Sequence, residues 1–237
     1  MNLLKEFSLN DKCSYLADKE QLTHYKVIDE CTASACQELI ERGFRRFGKM
    51  YFRPVCSECD ECKSIKIDVQ NFVFTKSMRR VMRKASHIKS FIQTPTVTQA
   101  HLDLFEKYHL FMKEKKNWEY NPTSAQSYYA SFVSGHNDFG YEILYYDEDK
   151  LIAVDLIDIL EDGVSSIYFY YDPDYAHYSL GKLSLYFQIK FAQESFKKWI
   201  YLGYYVKECP SLAYKAEYKP FKTLQGRPGM YEEYIWK

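Results

Sequence analysis

The sequence predicts a mixed α/β fold of the α+β kind, with residues 1–92 forming an N-terminal subdomain and residues 99–237 a larger second domain. Three observations carry this. The 237-residue chain is 46% hydrophobic, which suffices for a sizeable core in a globular protein. Helix-period stripes recur at 75–87, 98–116 and 179–194, while three strand-like runs at 141–146, 151–160 and 164–171 follow one another with turn residues between them. The stretch QTPTVT at 93–98 reads as the link between the two parts.

Taken in order, residues 1–30 give a weak signal, with one short element expected around Tyr15 and another over 25–28. A helix is expected over 32–42, capped by Thr32 or Ser34, with Ala35, Leu39 and Ile40 on its apolar face and Gly43 as its stop. Residues 44–53 read as extended, and Pro54 ends them, so the cysteines that follow fall in a loop. Ile65, Ile67 and Val69 alternate with Lys66 and Asp68 as in a half-buried strand. Over 75–87, Met78, Val81, Met82 and Ala85 form one helical stripe. Lys76, Arg79, Arg80, Arg83 and Lys84 form a second, on the opposite side of the wheel. Helices then follow from Thr98 and over 124–134, the second ending at Gly135. After the three strand-like runs come a helix over 179–194 and a strand over 199–206.

Charge and cysteines bound the function. Lys+Arg and Asp+Glu number 32 each, but residues 1–90 carry a net +5 and the rest a net −5. No acid occurs between 69 and 102, so the basic stripe has no intrahelical neutraliser. It is either a solvated face or a phosphate-binding one. Seven cysteines, an odd number, fit a reducing cytoplasm. MNLLKEFSLNDK has no long apolar core and LIAVDLIDIL carries two aspartates, so neither a signal peptide nor a membrane helix is expected. The 23 Tyr and 16 Phe read mainly as strand-core residues. His109, His136 and His177 lack ligand-like spacing, and Cys31, Cys36 and Cys209 read as isolated small hydrophobes.

The densest stretch is GFRRFGKMYFRPVCSECDECK, 43–63. Together with CSYL at 13–16, YYDPDYAHYSLG, and YLGYYVKECPSLAYK, it resembles the aminoacyl-tRNA protein transferases of the N-degron pathway, in the bacterial aspartate/glutamate leucyltransferase branch. The resemblance runs from about Cys13 to about Pro220. The element order also resembles the GNAT acyltransferase fold, giving a GNAT-like second domain behind a cysteine-containing subdomain. The family's activity would be leucine transfer from leucyl-tRNA to proteins with N-terminal Asp or Glu. Alternatives are arginyl transfer, a coenzyme A dependent N-acetyltransferase, and a metal-clipped RNA-binding module.

GNAT acetyltransferases hold pyrophosphate in a glycine-rich loop before the central helix. The corresponding loop here, DPDYAHYSLGKLSL, has one glycine, Gly181, which disfavours coenzyme A. An aminoacyl ester is already activated, so transfer to an amine needs positioning and oxyanion donors more than a strong base. Candidates near the reaction are Asp172, Asp174, Ser179, Gly181, Tyr204, Tyr214 and Lys215, with turn chemistry around Pro173 the alternative for the two aspartates. Arg45, Arg46 and Arg53 are expected to take the acidic residue of the acceptor, and Lys76, Arg79, Arg80, Arg83 and Lys84 the tRNA. No cofactor is required. Cys56, Cys59 and Cys62 with Cys13 read either as reduced thiols or as a four-sulfur zinc or iron-sulfur site, with Leu16 standing where eukaryotic members have a second cysteine.

Overall fold

The computed structural model describes residues 1–135 and 138–237; His136 lies outside them. The N-terminal part is a four-stranded antiparallel sheet in the order β1 (Asn2–Lys12), β2 (Glu20–Glu30), β4 (Met50–Pro54), β3 (Arg45–Phe47). Two short elements were expected over residues 1–30, and two eleven-residue strands stand there instead. The reason is the edge position of β1: every side chain but Phe7 is exposed, so no two-residue apolar alternation is written into it. Helix α1 (Ala33–Glu41) begins where expected, with Thr32 Oγ1 accepting from the Ala35 N–H, and it stops at Gly43, whose φ of +84° is left-handed. The run at 44–53 is broken by a turn at Gly48 into the β3–β4 hairpin.

The second sheet has eight strands, in the order β12 (Ile235–Trp236), β11 (Phe221–Gln225), β5 (Lys63–Asp68), β10 (Trp199–Tyr205), β9 (Gly163–Tyr171), β8 (Lys150–Ile159), β7 (Gly140–Asp147), β6 (Lys89–Gln93). Every paired neighbour is antiparallel except β9 and β10, which run parallel. The sequence pattern missed β6, β11 and β12, which are short and lie outside the central strands. A parallel pair joined by a helix after an antiparallel meander is the GNAT-like arrangement.

Helices cover both faces. On one, α5 (Leu180–Glu194) lays Leu185, Ile189 and Ala192 over Ile143, Ala153, Ile157 and Ile200. The basic helix α2 (Lys76–Lys84) packs Met78, Val81 and Met82 against the same cluster. On the other, α3 (Gln99–Lys116), capped by Thr98, and α4 (Ala125–Tyr128), running on into a wider turn over Tyr129–Val133, pack Phe105, Tyr108, Tyr128 and Phe132 on Val154, Leu156 and Tyr170.

Two buried ionic knots tie the second sheet to the N-terminal part, one to its sheet and one to α1. The Arg46 guanidinium and the Asp158 carboxylate, both without accessible side-chain surface, form a double hydrogen bond between β3 and β8. Lys66 Nζ lies 2.8 Å from both Glu41 oxygens, between the Trp199 and Trp236 rings, and Tyr201 donates to the same carboxylate. Removing one member of such a pair strands a buried charge, at a cost of about 3 to 5 kcal/mol.

Candidate active site

Strands β9 and β10 pair over three residues, Gly163–Ser165 against Trp199–Tyr201, and then diverge. The gap starts at Ser166, on the side of the C-terminal ends of both strands, the position where open α/β sheets place ligands. A register shift at Tyr201/Gly203 on the β5 side bends β10 away. Gly203 has φ +78°, and a Cβ there would stand 2.8 Å from Arg45 Nε, so only glycine lets that guanidinium enter. Arg45 wedges into the apex of the gap. Its Nη1 donates to Ser165 Oγ at 3.1 Å and reaches the Tyr201 carbonyl at 3.5 Å, while Nη2 donates to the Ser166 carbonyl. No carboxylate is at ion-pair distance from it among the described residues, and burial pulls its pKa below the ordinary arginine value. On the β10 wall, Lys215 Nζ donates to the Tyr204 carbonyl at 2.7 Å. Burial, and after it the Arg45 charge, push Lys215 down to about 7.

Tyr204 joins this gap to a second feature. Its hydroxyl points at the Gly43 and Phe52 carbonyls, 3.2 and 3.0 Å away, and its ring helps line a pocket of about 160 Å³ in the N-terminal part. Cys13, Cys56, Cys59 and Cys62 all line that pocket, with Tyr15 and Arg227. Strand pairing brings them there. The bond from Val55 N–H to the Leu22 carbonyl (2.7 Å) and the contact of Leu22 N–H with Cys56 Sγ (3.4 Å) carry the β2–β4 register past the strand ends. The 13–19 and 55–62 connections therefore lie together. Arg227 donates to the Cys56 and Cys59 carbonyls, pinning the C-terminal segment across the loop. Burial first, and then the nearby Cys13, Cys56 and Cys59, push the Cys62 thiol up to about 12. The donor set suits a soft metal ion, although among the described residues no three His, Cys, Asp or Glu side chains already stand as a metal-holding group.

A third feature lies under α5. Asp155, 1% exposed in the middle of β8, accepts from Ser184 Oγ and, at 2.6 Å, from Gln188 Nε2. Burial lifts its carboxyl to about 7 against those two bonds. Gln188 Oε1 in turn accepts from Ser166 Oγ at 2.7 Å, which ties the buried carboxylate to the apex of the gap.

Comparison with known proteins decides the family. A model described as "Arginine-tRNA-protein transferase, N terminus" matches residues 11–80, and its C-terminus counterpart matches residues 100–225. An aspartate/glutamate leucyltransferase of Campylobacter jejuni is 48% identical over 231 residues, 97% of each chain. One of Helicobacter hepaticus is 42% identical over 237 residues, 100% of this chain and 98% of its own. The chain belongs to the aspartate/glutamate leucyltransferase family. Among solved structures, FemX aligns with 84% of this chain and 79% of its own at TM-score 0.46 and 7% identity.

In this leucyltransferase-family chain the residues singled out from sequence fall into distinct places. Asp172 is buried at the end of β9. Burial opposes its ionisation, but Lys107 (2.6 Å), Lys150 (2.8 Å) and the Asp174 N–H outweigh it and hold the carboxyl below its ordinary value. Asp174 is exposed and pairs with Lys107. Both aspartates thus shape the turn over Pro173–Tyr178, as local turn chemistry would have it. Ser179, at φ +58°, makes no side-chain cap for α5, and a Cβ on Gly181 would meet nothing nearer than Phe169 at 3.7 Å. These four follow the C-terminal end of β9, and Tyr204 and Lys215 lie on the β10 side. Tyr214 is half exposed beside Lys215, near enough to Asp155 to feel its charge. Arg46 is committed to Asp158. Arg53 stacks on Phe44 and donates to the Arg42 and Pro228 carbonyls, and its buried Nε has no partner among the described residues. Lys76, Arg79, Arg80, Arg83 and Lys84 are all exposed, and no carboxylate pairs with them among the described residues. Lys84 instead donates to the His177 carbonyl, which lays α2 beside the turn before α5. Sequence reasoning passed over Asp155, Ser166, Ser184 and Gln188. The available signal was polarity inside apolar patterns: Asp155 within LIAVDLIDIL, and Ser184 and Gln188 four apart on the buried face of α5.

Proposed function

We propose that this chain transfers leucine from leucyl-tRNA to the N-terminal amine of proteins that begin with Asp or Glu. The observation that carries the reading is the identity with aspartate/glutamate leucyltransferases across 97% or more of both chains. The neutral α-amine attacks the ester carbonyl, the C–N bond forms as the C–O bond breaks, and the ribose hydroxyl leaves with the proton that the amine gives up. The turn before α5 supports an aminoacyl ester over coenzyme A. Its amides at Asp174, Tyr175 and Ser179 already bond to Asp172 Oδ1, the Asp172 carbonyl and the Ala176 carbonyl, so they form no cradle for pyrophosphate.

The roles follow from charge. Among the described residues Arg45 and Lys215 have no counter-carboxylate, and an acidic side chain from the acceptor completes them, Arg45 offering donors beyond the three it uses. Arg53 supplies further positive potential beside Tyr204. The five cations of α2 take the tRNA backbone, with the acceptor end directed along the turn toward the open end of the gap. The four thiols are of the donor type that takes a zinc ion or an iron-sulfur cluster, and drawn together they would clip the 13–19 and 55–62 connections; such a group would supply rigidity, and no step of the transfer passes through it. The reaction is that of a cytoplasmic enzyme, and among the described residues no helix is long and apolar enough to cross a membrane. Incubating purified protein with labelled leucyl-tRNA and peptides beginning with Asp, Glu or Ala tests the reading. Label should appear in the first two, and transfer to the Ala peptide at an equal rate would overturn the assigned acceptor.

A further inference from the structure

We infer that Ser166 holds the attacking α-amine at the apex of the gap, and that Asp155 fixes Ser166 for this task through Gln188. The argument is one of hydrogen-bond directions. At the pH of the test described below Asp155 is ionised and a carboxylate only accepts, so Asp155, 1% exposed and 2.6 Å from Gln188 Nε2, forces the amide to face it with its nitrogen. The amide oxygen must then face β9, where it takes the Ser166 hydroxyl proton at 2.7 Å. Ser184 donates to the same carboxylate oxygen and holds it in place. With its proton committed, Ser166 Oγ offers lone pairs and no donor. It belongs to the first residue of β9 beyond the last paired position, and it keeps part of its surface open.

An acceptor-only oxygen in a gap whose charged neighbour is Arg45 suits one partner, a neutral amine. The Arg45 charge disfavours an ammonium there, and the amine N–H donates to Ser166 while its lone pair is left for the ester carbonyl. The acidic side chain of the same residue lies within reach of Arg45, whose Nη2 bonds the Ser166 carbonyl. Ser166 and Asp155 are positioning residues: the amine's departing proton ends on the ribose oxygen, and neither keeps it.

This inference rests on the proposed transfer, so its test separates the two. Direct binding of an Asp-initiated peptide, with its N-acetylated form as control, is measured near pH 8.5, where an α-amine of pKa about 7.7 to 8.0 is mostly neutral. Transfer kinetics are measured alongside it. Ser166→Ala should lower peptide affinity and kcat/KM for peptide by about 3- to 10-fold, the range of one hydrogen bond, with KM for leucyl-tRNA and the melting temperature unchanged; Ser166→Thr should restore both. Asp155→Leu, which removes the acceptor that orients the Gln188 amide, should cause a similar loss, and its combination with Ser166→Ala should be no worse than Ser166→Ala alone, because both act on one contact. Wild-type behaviour of Ser166→Ala, or losses that multiply in the double variant, would overturn the inference and leave the transfer standing. A wild-type protein that binds the free-amine peptide through Ser166 but takes no leucine from tRNA would overturn the donor and leave the inference standing.

Discussion

Replacing Arg79 and Arg83 together by alanine isolates the basic face of α2 from everything else in the molecule. Both side chains are exposed, while the partly buried Met78, Val81 and Met82 and the buried Ala85 supply the packed stripe. Neither arginine has a carboxylate partner among the described residues, so no ion pair is lost and alanine is the better helix former. Stability should therefore stay within about 0.5 kcal/mol of wild type. Each arginine that neutralises a phosphate contributes a log-log salt slope of about 0.7 on single-stranded and 0.9 on duplex nucleic acid. Two lost contacts flatten the slope by about 1.4 to 1.8. At about 0.1 M salt, one decade below the 1 M reference, this weakens tRNA binding by about 25- to 60-fold; at about 0.5 M the difference shrinks to about 3-fold. Filter binding of leucyl-tRNA across this range reads both quantities. Wild-type affinity with an unchanged slope would show that α2 is a solvated face and that the tRNA lies elsewhere.

Three further outcomes are expected. Lys215 is pushed from an ordinary value near 10.4 down to about 7, so its folded form sheds the proton early. Its contribution to stability is full above about pH 10.4 and is lost as pH falls through 7, and a pH series of denaturant melts should lose that component in Lys215→Met; an unchanged difference curve would refute the buried placement. Asp155 shifts the other way, to about 7, so its contribution is full below an unfolded value of about 3.9 and is lost as pH rises through 7. Asp155→Asn should flatten stability between those limits, and a variant that keeps the wild-type slope there would count against it. If the four thiols hold a metal, elemental analysis of anaerobically purified protein should find it near one equivalent of zinc, or as an iron-sulfur chromophore, and Cys59→Ser should lose it; metal-free wild type with full transfer activity would remove the clip.

How much of this was legible depended on where each element sits. Helices α1, α2, α3 and α5 and strands β7 to β10 are amphipathic or core elements, and their periodicity or capping residues, Thr32 and Thr98 among them, give them away. Strand β1 has one partly buried residue in eleven, so nothing in its pattern could mark it, and β6, β11 and β12 owe their shape to neighbours far away in sequence. The site was visible in its parts and not in its assembly. Arg45, Tyr204 and Lys215 were picked out individually, but that Arg45 and Lys215 come together beside β10 while the Tyr204 ring turns to the cysteine pocket follows from the parallel pairing of β9 with β10 and the register shift at Gly203. Arg45 and Arg46 are adjacent in sequence, yet a strand sends them to opposite sides. One enters the gap and the other meets Asp158, a division that the pair FRRF cannot reveal. Asp155 and Gln188 are 33 positions apart and meet only because α5 packs back over β8.

The central claim is the chemistry of transfer, and one measurement reaches it most directly: the purified chain, an Asp-initiated peptide, and labelled leucyl-tRNA or arginyl-tRNA in parallel reactions, with the modified peptide read by mass. The account predicts a single leucine added to the α-amine from leucyl-tRNA, with arginyl-tRNA giving little or none. Addition of arginine in preference to leucine, or an unmodified peptide with both donors, would contradict it.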